Sequence, residues 1–204
     1  MSASLEVLFI RHGRTDWNDA GRIQGHTDIP LNETGRRECA ERGVPPRYAG
    51  ATWFASPLSR ALETARLIGA PASLATDDRL REMCWGEWEG RVRADIRAEN
   101  PAAYDRDEGR GLDYRPPGAE SPREVQVRLL DWMRETATTT GSAIAVTHRG
   151  VIRAALAMAT GWDLTGSSPH HLDWGAGQGF RYLPESDRIR IEALNVSLMD
   201  GRRT

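Results

Sequence analysis

The chain has 204 residues, 39% of them hydrophobic, with 29 acidic against 27 basic residues and a formal net charge of −2. This balance suits a folded globular protein and excludes a global field for nucleic acid or anionic lipid, so any anion site has to be local. Every basic residue is arginine; with no lysine in the sequence, a Walker-type phosphate lysine, a Schiff-base lysine and a lysine general base are ruled out.

In chain order, the apolar run Val7–Ile10 predicts a buried strand, and it leads directly into Arg11, His12 and Gly13. Leu31–Gly43 predicts a helix opening at a Thr34 cap and stopping at Gly43, before Pro45. Thr52–Ala55 predicts a second strand, followed by a helix over Leu58–Ile68, and Ala72–Ala75 a further short strand. The stretch 91–118 is polar and rich in Arg, Asp, Gly and Pro, with a short helix expected at Asp95–Tyr104; it reads as an insertion over one edge of a sheet. Ser121-Pro122-Arg123-Glu124 is a capping box with proline at the first helical position. Val125, Leu129 and Met133 then recur every four residues, so one face is buried. Ala143–Val146 predicts a strand and Val151–Ala159 a helix; Phe180–Leu183 and Arg188–Leu194 predict a hairpin turning at Pro184–Asp187. Strands alternating with helices point to a three-layer α/β/α fold: a mostly parallel sheet, helices on both faces, and one domain over 1–204.

Cys39 and Cys84 show no CxxC spacing, so neither a disulfide framework nor a zinc site is expected. No basic segment with a long apolar run precedes the first strand, and Val151–Ala159 is too short to cross a bilayer. The expectation is a cytoplasmic protein without membrane or nucleic-acid partners; a homodimer stays open.

In open α/β sheets ligands bind beyond the carboxyl ends of the strands. Arg11 and His12 follow the first predicted strand, Ser56 and Arg60 the second, Glu82 the third, and Thr147, His148 and Arg149 the fourth. Two histidines, arginines and a carboxylate thus emerge on one rim. In a core such a set would be costly, whereas on the rim it makes an anion pocket. Gly13 would let the backbone pass close to a ligand, and the helices after Ser56 and His148 would aim amides at it.

The stretches LFIRHGRTDWN (8–18), GRIQGHTDIPLNETG (21–35), SPLSRALETA (56–65), LREMCWGEWEG (80–90) and VTHRGVIRA (146–154) resemble, in order and spacing, the histidine phosphatase superfamily, in its phosphoglycerate mutase-like branch with small bacterial phosphatases. The resemblance implies that His12 is a nucleophile phosphorylated in the reaction. It also implies that Arg11, Arg60 and His148 hold the phosphoryl oxygens and that Glu82 gives a proton to the leaving oxygen. Asn18, Gln24, Gly25, His26 and Thr27 would border the pocket. Arg149 stands where many members have a second glycine, as an added rim charge or a solvent-facing side chain. Gly118–Ser121 is similar to a GGES stretch of relatives, with Ala119 in place of the second glycine.

The expected activity is hydrolysis of a small phosphate monoester through phosphohistidine, with no metal and no cofactor. Phosphoglycerate mutase-type transfer is an alternative, and ribazole-phosphate phosphatase chemistry of cobalamin synthesis is a second. The arginines of 91–115 are interspersed with carboxylates, which favours the phosphatase over the mutase. A catalytically silent binding protein is disfavoured because it would not need His12 and Glu82 together. Gly175–Gly179 lacks the last glycine of a dinucleotide loop. His170 and His171 could ligate a metal or shape the substrate mouth, and Trp85 and Trp88 could wall the leaving group.

Overall fold

The computed structural model describes residues 4–200, with side chains described to 198. In chain order its elements are β1 (Leu5–Arg11), α1 (Asp16–Asp19), α2 (Glu33–Ala40), β2 (Arg42–Gly43), β3 (Thr52–Ala55), α3 (Ser59–Leu67) and β4 (Ala75–Thr76). There follow α4 (Arg93–Glu99), α5 (Pro101–Glu108), α6 (Pro122–Thr136), β5 (Ser142–Thr147), α7 (Arg149–Thr160), β6 (Gly177–Leu183), β7 (Arg188–Val196) and β8 (Met199–Asp200).

Six strands form one sheet in the order β4-β3-β5-β1-β6-β7. The four from β4 to β1 run parallel, and the β6–β7 hairpin adds two antiparallel strands at the β1 side. The period of two along β1 decides the layers. Leu5, Val7 and Phe9 pack with Val125, Leu129, Trp132 and Met133 of α6 and with the apolar face of α7. Leu8 and Ile10 face the other way, onto Cys39 of α2 and Ala61 and Ala65 of α3. The result is a three-layer α/β/α fold.

Three local expectations change. Asn32 and not Thr34 caps α2: its Oδ1 accepts from Gly35 N at 2.8 Å, and the helix ends at Ala40, so that Arg42–Gly43 pair with β8. The single helix expected at Asp95–Tyr104 is two helices. Pro101 has no N–H to continue the ladder, and Asn100, outside the helical region (φ −153°, ψ 81°), caps α5 through Ala103 N. The strand expected at Ala72–Ala75 is only Ala75–Thr76. The capping box is as expected: Ser121 Oγ accepts from Glu124 N, and Glu124 accepts from Ser121 N at 2.8 Å.

The polar stretch 91–118 lies beside the carboxyl ends of the parallel strands, where Arg93, Glu108 and Tyr114 come together with Arg11 and Arg60. Backbone bonds between Ile23 and the 90–91 turn fasten its start. Ile96 and Tyr104 pack with Ile23 and with Trp85 and Trp88. Its charges are spent mostly on one another, in the pairs Arg91–Glu99, Arg93–Glu108 and Arg97–Asp105.

Candidate active site

A cleft of about 1100 Å³ opens at the carboxyl ends of the parallel strands. Arg11, His12, Asn18, Gln24, Gly25, Arg60, Glu82 and Arg149 line it. Arg11 and Arg149, 138 positions apart in the sequence, meet there because β1, β3 and β5 run parallel and end together.

His12 follows β1 and is 6% exposed. Its backbone N donates to Thr147 O at 2.9 Å, which locks it to the end of β5. Its Nδ1 lies 2.7 Å from Gly13 O. A carbonyl only accepts, so Nδ1 carries the proton and Nε2 keeps its lone pair. Burial, then the charges of Arg60 and Arg11, hold this imidazole well below the usual histidine range, so it is neutral. Gly13 has another reason than close approach to a ligand: a Cβ there would sit 2.6 Å from Cys39 Sγ and 3.3 Å from Gly35 O.

His148, fully buried at the start of α7, stands with its ring 5.1 Å from that of His12. Its Nε2 is 2.8 Å from Ser56 Oγ, and its Nδ1 is buried with no partner among the described residues. When Ser56 donates to Nε2, Nδ1–H is left to donate to an oxyanion. Burial, Arg60 and His12 lower the basicity of this ring as well.

Arg60 is fully buried, an arginine without a carboxylate partner among the described residues. It donates to Thr27 O at 2.9 Å and to Gly25 O at 2.7 Å, while its Nε is unpaired. Arg11 likewise has an unpaired, buried Nε, and its guanidinium lies 5.8 Å from the centre of the Trp174 ring. Burial pulls both guanidiniums below their ordinary range, partly offset by Glu82. Buried cations with free donors call for an anion.

Glu82 is half-buried across from this group. Its carboxylate accepts from Gly150 N at 3.0 and 3.2 Å and from Met83 N at 2.8 Å. Gly150 makes this approach feasible, since a Cβ there would lie 2.2 Å from Glu82 Oε1.

The remaining expected residues divide. Gln24 is on the cleft wall with a buried, unpaired Oε1, and Asn18 is there with its Oδ1 accepting from Thr15 N and Oγ1. Arg149 is exposed but on the wall, over Trp174 at 5.1 Å. Thr27 is not on the wall: its carbonyl holds Arg60 and its hydroxyl donates to Glu89 at 2.6 Å, so it positions rather than binds. His26 also turns away, with Nε2 2.8 Å from Glu82 O. His170 and His171 are exposed and off the cleft, and no group of three or more metal-ligating side chains exists among the described residues. Trp85 lines the cleft, whereas Trp88 stacks on Tyr104 with ring centres 5.6 Å apart.

Glu89 goes unseen in the sequence. It accepts from His26 N, Thr27 N, Thr27 Oγ1 and Trp85 N and so shapes the loop that presents carbonyls to Arg60. Gly25, at φ +54°, leaves room for it: a Cβ would lie 2.0 Å from Glu89 Oε1. Trp174, Tyr114, Arg93 and Arg153 also line the cleft without having been singled out as site residues. No helix among the described residues is long and apolar enough to cross a membrane.

The family profile described as histidine phosphatase superfamily (branch 1) matches residues 7–196. A 2,3-bisphosphoglycerate-dependent phosphoglycerate mutase of Gloeobacter violaceus is 36% identical over 137 residues, 63% of this chain and 62% of that protein. The chain thus spans less than two thirds of that relative's length. A glucosyl-3-phosphoglycerate phosphatase of Mycolicibacterium vanbaalenii is 32% identical over 169 residues, 76% of this chain and 74% of that protein. Among solved structures, a mycobacterial glucosyl-3-phosphoglycerate phosphatase complexed with VO3 superposes with a TM-score of 0.76 at 28% identity, over 96% of this chain and 100% of that one. An Escherichia coli candidate α-ribazole-5′-P phosphatase superposes with a TM-score of 0.77 over 98% and 99% of the two chains. At 23% identity, that likeness is one of fold alone.

Proposed function

Since the chain belongs to the histidine phosphatase superfamily, we propose that it hydrolyses a small phosphate monoester through a phosphohistidine on His12. The observation that carries this reading is the His12 ring itself. Nδ1 is fixed on Gly13 O, Nε2 has no hydrogen-bond partner among the described residues, Arg11 and Arg60 line the same cleft, and the His148 ring lies 5.1 Å away.

Nε2 attacks phosphorus, and the bond from phosphorus to the ester oxygen breaks. The lone pair needs no prior deprotonation, which removes the need for a base. Arg11, Arg60 and His148 donate to the equatorial oxygens, where charge accumulates during transfer. Glu82 gives a proton to the departing alkoxide. Water then cleaves the N–P bond, losing a proton to Glu82 and restoring the starting state.

The phosphatase reading is favoured over mutase transfer because the similarity to the phosphatase relative extends further along both chains than that to the mutase. It is also favoured because the insertion's arginines are largely neutralised by its own carboxylates. Incubation with 3-phosphoglycerate separates the two: a phosphatase releases free phosphate, a mutase yields 2-phosphoglycerate. Hydrolysis of p-nitrophenyl phosphate should survive a chelator and be blocked by vanadate. A strict requirement for added Mg²⁺ would overturn the mechanism.

A further inference from the structure

The cleft wall carries eight arginines against four carboxylates. Arg14 is matched by Asp19 and Glu38, Arg42 by Glu38, and Arg93 by Glu108 at 3.6 Å; Arg22 donates to Gly90 O. Apart from Arg22, which is held by that carbonyl, four guanidiniums are left with no ion pair among the described residues: Arg11, Arg60, Arg149 and Arg153. The first two flank His12 and answer to the transferred phosphoryl group. The second two answer to nothing in that mechanism.

Arg149 and Arg153 lie four residues apart on α7, so on one face and roughly 6 Å apart along its axis. Each rests on an indole, Arg149 over Trp174 at 5.1 Å and Arg153 over Trp162 at 5.0 Å. An indole face steadies a cation without neutralising it. Arg93, 4.3 Å over Trp85, approaches from the insertion side, its charge shared with Glu108. Burial comes first among the causes that disfavour the charge of Arg153, followed by repulsion from Arg149 and Arg93. Tyr114 lines the same cleft at 6% exposure, and its hydroxyl is buried without a partner among the described residues. An unused buried donor beside mutually repelling cations is unfavourable until an anion arrives. Trp174 touches both Arg149 and Arg11, so the two cationic places adjoin and a short linker spans them.

We propose that Arg149, Arg153 and Arg93, with the Tyr114 hydroxyl, form a second anion subsite. The preferred substrate is then a phosphate ester whose alcohol half itself carries a carboxylate or a second phosphate. The proposal deepens the phosphatase reading and rests on it for the position of the first phosphoryl group.

Binding of non-hydrolysable phosphonates tests it without turnover. Calorimetry would compare propylphosphonate, 3-phosphonopropionate and propane-1,3-bisphosphonate. In the intact protein at least one of the doubly anionic ligands should bind about tenfold or more tightly than propylphosphonate, as charge-assisted bonds from arginine give. The tighter of the two tells whether the subsite prefers carboxylate or phosphate. In Arg153→Gln and Arg93→Gln the advantage should shrink to roughly threefold or less. Because the reading is a ratio within each protein, a general weakening of the variant cancels. Equal affinities in the intact protein, or an advantage untouched in both variants, would overturn the subsite. Phosphate release from propyl phosphate is measured separately. Absent turnover with a retained preference sinks the phosphatase reading alone, and turnover without preference sinks the subsite alone.

Discussion

At the scale of single residues, the proposed chemistry depends on the protonation of two buried rings. His12 and His148 are both held well below the usual histidine range, by burial first and then by Arg60. In the unfolded chain both titrate near ~6.5. The unfolded state therefore binds more protons between the depressed folded values and that value, so stability is full above about pH 6.5 and declines as pH falls below it. Urea melts at a series of pH values should show this loss; stability that rose on acidification from pH 7 to 5 would contradict the neutral assignment. The same shift keeps His12, the proposed nucleophile, available in acid, so kcat/KM, corrected for the substrate's own second ionisation, should show no limb near pH 6.5. Glu82→Gln retains an oxygen that can accept from Gly150 N but removes the acid. Alkyl phosphates, with poor leaving groups, should slow by ~10²–10⁴, and p-nitrophenyl phosphate far less. Equal slowing of both would speak against a proton donor at this position.

At the scale of elements, the site depends on where helices start. The N-terminal turn of α7 brings Gly150 N onto Glu82, and Gly150→Ala would put a methyl 2.2 Å from Glu82 Oε1. This substitution should cut alkyl ester turnover as strongly as Glu82→Gln while leaving the fold intact by circular dichroism; an unaffected rate would mean that Glu82 need not sit there. Ser121 caps α6, the helix that carries Leu129, Trp132 and Met133 into the core. Ser121→Ala should cost ~1 kcal/mol, a drop in Tm of about 2–4 °C for a chain of this size, with kcat/KM little changed. Element placement was legible wherever one physical signal dominated. The continuous apolar runs of β1, β3 and β5 announce strands buried on both faces, and the Ser121–Glu124 box fixes the start of α6. Legibility failed where two signals competed. Asn32 and Thr34 are both capping residues, and it is Asn32 that accepts from Gly35 N. The break between α4 and α5 has a plain cause in Pro101, which has no N–H to continue the ladder.

At the scale of the whole molecule, function comes from parallel strands ending together. That rule, applied to the residues after each strand, brings Arg11, His12, Arg60, Glu82 and His148 to one rim before any side chain is placed. It does not reach Glu89, Trp174, Tyr114 or Arg153, because their parts depend on loop paths and helix faces that no strand end announces. Nor does it tell that Thr27 works through its carbonyl, since every residue has one. The central claim is that this assembly makes His12 Nε2 a covalent carrier of phosphorus. Rapid acid-free quenching of turnover with a ³²P-labelled phosphoramidate or aryl ester, followed by peptide mapping, reads that directly. The account predicts an acid-labile phosphoryl group on the peptide containing His12, absent from His12→Ala; label on another residue, or undiminished labelling of that variant, would contradict it.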